Sequence, residues 1–218
     1  TIMVETGEKE GESEEKRGIT MALITAVEAR VYLRGLTGTA EDTTIDTMIA
    51  RVGALFGSYC SFPAETGVAT MESTTYTHYL EGPGGYSLRL PVWPVTSVTS
   101  IYDDSGREYG SGDLVSSSDY DVIGDFGLVI AKSTGNHTAW GTGGRAIKAT
   151  YVAGFATVPA DIKHACGLQV AHIWRHRDSI GDSSVSKAGG SASPLPLSLL
   201  PEVKAALRPY RLAGDWIG

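Results

Sequence analysis

Apolar residues change their spacing several times along the chain, and each change marks an element. Ile45, Met48, Ile49, Val52, Leu55, Phe56 and Tyr59 recur at steps of three and four, the spacing of one helix face. Thr43 or Thr44 is placed to cap this helix, and Asp46 suits its positive end. A shorter helix precedes it. Thr25 and Glu28 fit a capping box, Val27, Val31 and Tyr32 form its apolar side, and Gly35 is a stop. Between Val68 and Gly154 the pattern turns to short runs rich in Thr, Ser, Tyr and Val. Strands are predicted at 74–80, 86–90, 95–102, 119–123, 128–131 and 146–153, separated by turns at 82–85, 103–106 and 124–127. Strands of that length at that spacing predict an antiparallel sheet or small sandwich.

Helical spacing returns at Pro159, where Asp161 also favours a helix start. Ile162, Ala165, Cys166, Gln169, Val170, Ile173 and Trp174 make the stripe, and Arg175, His176 and Arg177 sit where the dipole favours cations. Residues 178–193 are Ser- and Gly-rich and read as a mobile loop. A short helix from Pro201 to Leu207 follows, stopped near Pro209. No internal repeat is present. The fold class is therefore α+β: a small helical bundle with an inserted antiparallel β-rich region and an extended C-terminal docking segment. Its parts are an acidic disordered tail (1–20), a helical part (21–67), a β-rich insert (68–157), a helix completing the bundle (158–177), a flexible loop (178–193) and the docking segment (194–218).

Composition narrows the classes. The chain has 218 residues, 42% of them hydrophobic, enough for a core in one or two domains. No apolar run is long enough for a membrane span, and no secretory signal is visible. Cys60 and Cys166 cannot form a disulfide framework. Net charge is −7, so the basic footprint of a DNA-gripping protein is missing. Residues 1–20 place six glutamates (Glu5, Glu8, Glu10, Glu12, Glu14, Glu15) against Lys9, Lys16 and Arg17. Such a segment buries too little to offset its ordering entropy. It reads as a floppy tail or as an acidic arm that orders on a partner, and Met21 is a candidate second translation start.

No catalytic constellation stands out. His172 and His176 share a helix face, but His164 and Cys166 lie one to two turns away, and Ile173 stands where a zincin motif needs Glu. Metal, cofactor and catalytic residues are accordingly expected to be none. No nucleophile elbow or phosphate loop is present; Gly141-Thr142-Gly143-Gly144 precedes a strand, not a helix. Asp103, Asp104, Asp119 and Asp121 fit turns better than acid–base work.

The order of parts is more informative. A helix around Glu28–Arg34 and the Ile45–Tyr59 helix come first, then a strand-rich insert with Pro91-Val92-Trp93-Pro94-Val95. A helix opened by Val158-Pro159-Ala160-Asp161-Ile162-Lys163 and the ending Leu200-Pro201-Glu202-Val203…Leu207-Arg208-Pro209-Tyr210-Arg211 complete it. Over about residues 21–212 this resembles the head-to-tail connector, or adaptor, family of tailed bacteriophages and gene-transfer particles. The acidic residues 1–20 fall outside the resemblance.

That resemblance implies a structural virion protein, not an enzyme. It implies a self-assembled ring, usually a dodecamer, in the neck between capsid and tail, with host cytoplasm as its place during assembly. The implied partners are the portal protein, a head-closure, stopper or tail protein, and genome DNA passing through without sequence-specific binding. No membrane partner is implied. Carried onto this chain, Leu199, Leu200, Val203, Leu207 and Tyr210 become portal-docking contacts, with Arg208 and Arg211 as polar anchors. A short apolar helix beyond a loose loop must pack on something, either a partner or its own subunit. Weak basic character would also let DNA slide. The rival readings are a carbohydrate- or host-binding module, for the Tyr- and Trp-containing strands, and a tail terminator or head-closure protein.

Overall fold

The computed structural model describes residues 22–65, 67–177, 185–187, 190–192 and 198–212. Two helices open the fold, α1 (Ala26–Arg30) and α2 (Asp42–Tyr59). The strands β1 (Thr74–Pro83), β2 (Ser87–Arg89), β3 (Val95–Asp103), β4 (Tyr120–Ile123), β5 (Leu128–Ala131) and β6 (Thr142–Ala153) follow. Then come α3 (Ala160–His176), a short pair β7 (Val185–Lys187) and β8 (Gly190–Ala192), and α4 (Pro201–Leu207) with a 3-10 turn over Arg208–Tyr210. This is the expected α+β class. The acidic tail at 1–20 and most of the loop at 178–193 lie outside the described residues, although β7 and β8 pair as a hairpin inside that loop.

The predicted capping box closes α1: Thr25 Oγ1 accepts from the Glu28 amide and the Glu28 carboxylate accepts from the Thr25 amide. Its buried face differs from the predicted one. Val27 and Val31 are exposed, whereas Ala26 and Ala29 are buried, with Leu33 beyond them. The two small residues face α2 and α3, and the valines face outward. In α2 the expected stripe holds, with Ile45, Ile49, Val52 and Phe56 buried and Leu55 at the rim. The expected threonine cap does not: Glu41 occupies the cap position without a side-chain bond, and Thr43 and Thr44 lie within the first turn.

Two three-stranded antiparallel sheets form, in the orders β1-β6-β3 and β2-β5-β4. The inner face of the first presents Tyr76, Tyr151, Ile147, Ala149 and Ile101 to the core. Helices and both sheets share one contiguous apolar core, so the β-rich insert does not stand as a separate globule. α1 is tied across the bundle by Arg30 with Asp42 and by Glu28 with Lys163 of α3. Phe155, just after β6, accepts from Ser73 and donates to Met71, which joins the sheet to the chain leaving α2.

That chain crosses α2 at Gly57, where an added Cβ would meet the Ala69 carbonyl oxygen at 2.5 Å. A backbone atom cannot swing aside as a side chain can. Gly57→Ala is therefore expected to lower stability by about 1–3 kcal/mol despite alanine's better helix propensity, measured by urea unfolding.

Candidate functional site

The C-terminal segment, expected to face a partner, is seated against its own chain. Gln169 of α3 is fully buried; its Oε1 accepts from the Leu200 amide at 3.0 Å and its Nε2 donates to the Ser198 carbonyl at 3.4 Å. Those bonds deliver Pro201 to the start of α4, where its missing N–H costs nothing. Val203 and Leu207 are fully buried, and Leu199 and Leu212 nearly so. The Leu212 amide donates to the Cys60 carbonyl at 2.9 Å. Tyr210 donates its hydroxyl to the Asp161 carboxylate and sets its ring edge-on to Phe155 at 5.5 Å.

The seven residues expected to dock thus separate into two sets. Leu199, Val203 and Leu207 are buried in the chain's own core. The physical reason is that α3 supplies a groove for them, opened by Gln169. Leu200 and Tyr210 are half-buried, and Arg208 and Arg211 are exposed, the latter lying over the Tyr59 ring at 5.2 Å.

The histidine and cysteine candidates do not converge. His172 and His176 have ring centroids 4.8 Å apart, but His164 is turned away to Tyr32, whose hydroxyl lies 3.0 Å from its Nδ1. Among the described residues no group of three or more His, Cys, Asp or Glu side chains is arranged to hold a metal ion. Burial pushes the Cys60 thiol up to about 11 and the Cys166 thiol to about 12, so both stay protonated and unreactive. No described helix is long and apolar enough to cross a membrane.

Sequence reasoning missed two polar clusters. In one, His78 of β1 places Nδ1 2.9 Å from the Tyr151 hydroxyl and Nε2 3.3 Å from Glu65. Desolvation lowers the His78 pKa, and the nearby Glu65 charge only partly opposes it. In the other, His137 Nε2 lies 3.1 Å from the Asp103 carboxylate, which also accepts from the Gly141 amide at 2.7 Å. Residues 73 positions apart leave no local spacing signal; only the β1–β6 register brings His78 and Tyr151 together. Both clusters brace strands.

The model of the head completion protein family matches residues 22–213. The chain belongs to the head completion protein family. Members are structural virion proteins, and the matched span leaves out the acidic segment, as the sequence order predicted. No curated protein matches the chain in sequence. Among solved structures, a chain from the neck of an empty GTA particle computed with C6 symmetry is 19% identical, with a TM-score of 0.53, over 90% of this chain and 93% of that one. A chain from the virion of a native gene transfer agent (GTA) particle is 21% identical with a TM-score of 0.52, again over 90% and 93%. A third, from the neck of a native GTA particle computed with C12 symmetry, is 17% identical with a TM-score of 0.51 over 88% and 91%. This head completion protein therefore shares its fold with them over nearly its whole length.

Two outcomes follow from the site. Leu207→Ala is expected to cost the isolated head completion protein about 2–5 kcal/mol in chemical unfolding. A helix docked only on a partner leaves that value unchanged. Burial alone pushes the Glu72 carboxyl up to about 7, so the folded chain holds a proton that the unfolded chain releases near 4.5. Stability therefore falls as pH rises from about 4.5 to about 7. Glu72→Gln is expected to flatten that fall and to raise the melting temperature at pH 8.

Proposed function

We propose that this protein is a neck component that assembles as a ring, usually a dodecamer, and joins the portal to the tail or its stopper while genome DNA passes through. The observation that carries the reading is the family match over residues 22–213, the span that holds the whole described body. The shared fold with neck chains of gene transfer agent particles supports the same location. Assembly takes place in the host cytoplasm, and the finished protein resides in the virion neck. No catalytic step is required of it.

Portal docking then falls to the outward residues of the C-terminal segment. Arg208 and Arg211 are the polar anchors, with Leu200 and the Tyr210 ring beside them; Leu199, Val203 and Leu207 act indirectly by fixing where α4 sits. Arginine and tyrosine suit such anchors, since both combine a broad contact surface with directed hydrogen bonds. A low density of cations is also compatible with DNA passage, because phosphate neutralisation is what makes DNA adhere.

The test has two readouts. Mass spectrometry of purified particles is expected to find the chain, and its absence overturns the neck assignment. Co-purification of the full chain with its portal protein is expected to fall roughly tenfold in an Arg208→Ala, Arg211→Ala variant whose melting temperature is unchanged; that factor is about 1.4 kcal/mol, modest for two interface arginines. Undiminished binding overturns the docking face while leaving the neck assignment intact.

A further inference from the structure

The outward face of the β1-β6-β3 sheet carries a cluster that the neck reading does not use. Tyr79 of β1, Lys148 of β6 and Tyr102 of β3 are direct register partners, so they form one row across all three strands. The Lys148 ammonium lies 5.5 Å from the Tyr102 ring centroid and 5.6 Å from that of Tyr109. The Arg145 guanidinium sits 4.7 Å over Tyr79, whose ring is 5.4 Å from Tyr109. Tyr109 also donates its hydroxyl to the Arg145 carbonyl, which closes the cluster. Next along the face, the hydroxyls of Thr77 and Thr150 lie 3.2 Å apart.

Three features mark this face as made for an anion. First, its cations are spent on rings: neither Arg145 nor Lys148 has a carboxylate partner among the described residues, whereas Arg30, Lys132 and Lys163 each have one. Second, the nearest turn acid is occupied. The Asp104 carboxylate accepts from the amides of Gly106, Glu108 and Tyr109, and only Glu108 remains as an exposed acid on that turn. Third, Arg107, Tyr109 and Arg145 all have left-handed backbone, with φ of 66°, 53° and 59°. Non-glycine residues pay for that conformation, and here it holds two cationic residues and the ring that lies between Tyr79 and Lys148.

We propose that the occupant of this face is the chain's own acidic segment, with the glutamates between Glu8 and Glu15 paired to Arg145 and Lys148. Charge complementarity selects it: five of the segment's six glutamates fall within those eight positions, in a protein whose net charge of −7 repels other polyanions. Reach permits it. Glu15 and Glu8 lie seven and fourteen residues before Ala22, where the described chain begins, so they reach at most about 23 Å and about 46 Å from it. A folded chain of this length has a radius of gyration of about 17 Å. Tethering also supplies an effective concentration of about a millimolar, enough for weak charge pairs to close. This inference does not rest on the neck reading, since it needs no partner.

Zero-length carbodiimide coupling of the dilute full chain in low salt reads the contact directly. The expected product is an amide between Lys148 and one of Glu8, Glu10, Glu12, Glu14 or Glu15. Its yield is expected to fall roughly fivefold or more in about 0.5 M salt, where the screening length is about 4 Å, and likewise in an Arg145→Ala variant. Arm glutamates that couple equally to Lys132, Lys163 and Lys204, or not at all, overturn the proposal. So do products joining an isotope-labelled copy to an unlabelled one, which assign the face to a neighbouring subunit's arm. A second measurement uses a short oligothymidylate. Changing those five glutamates to glutamine in the full chain is expected to tighten its binding about tenfold. Equal binding by the unaltered chain assigns the face to nucleic acid and overturns the arm.

Discussion

Both ends of one buried amide decide how this chain closes. Gln169 lies with its side chain wholly out of water, where an unmatched carbonyl or NH2 is costly. Its two bonds to the backbone at Ser198 and Leu200 satisfy the amide and at the same time fix the entry angle of α4. Once that angle is set, Val203 and Leu207 fall at helical spacing onto the core, and the Leu212 amide reaches the Cys60 carbonyl at the end of α2. The buried amide thus joins α3 to α4 and, through the Leu212–Cys60 bond, both to α2, which ends at Tyr59, far ahead of Ala160 in the sequence.

The sheet shows the same division of labour by register. Alternation along β1 and β6 sends Tyr76, Ile147, Ala149 and Tyr151 inward, and Tyr79, Thr77, Lys148 and Thr150 outward. A slip by one residue would exchange those sets and put a lysine in the core. The inner polar pair, His78 with Tyr151, adds a directional contact that pure apolar packing lacks. Register, and not any local motif, therefore creates both the brace inside and the cation and tyrosine row outside.

Much of the fold was legible because its signals are local. The Thr25–Glu28 capping box, the Ile45–Phe56 stripe and the strand–turn alternation each lie within a few residues, and each matches the structure. Failures arose where a distant surface decided. Val27 and Val31 looked like the inner face of α1, but tertiary packing buries Ala26 and Ala29 instead. The apolar face of α4 was correctly seen to need a groove; nothing local showed that α3 of the same chain provides one. The cation and tyrosine row was less legible still, since Arg145, Lys148, Tyr79 and Tyr109 meet only after three strands and a turn have come into register.

A self-seated α4 changes the physics expected of assembly. A free apolar helix would give each subunit a strong, hydrophobic handle and a strong tendency to associate wrongly before assembly. With that helix in its own core, the outward remainder is a rim of arginine, tyrosine and half-covered leucine; in the proposed docking such a rim binds more weakly per copy but more selectively. Weak contacts suffice in a closed ring, because each further subunit on a common partner binds from an already high effective concentration. In the proposed ring, affinity comes from the number of copies, and discrimination from the geometry that Gln169 imposes on each of them.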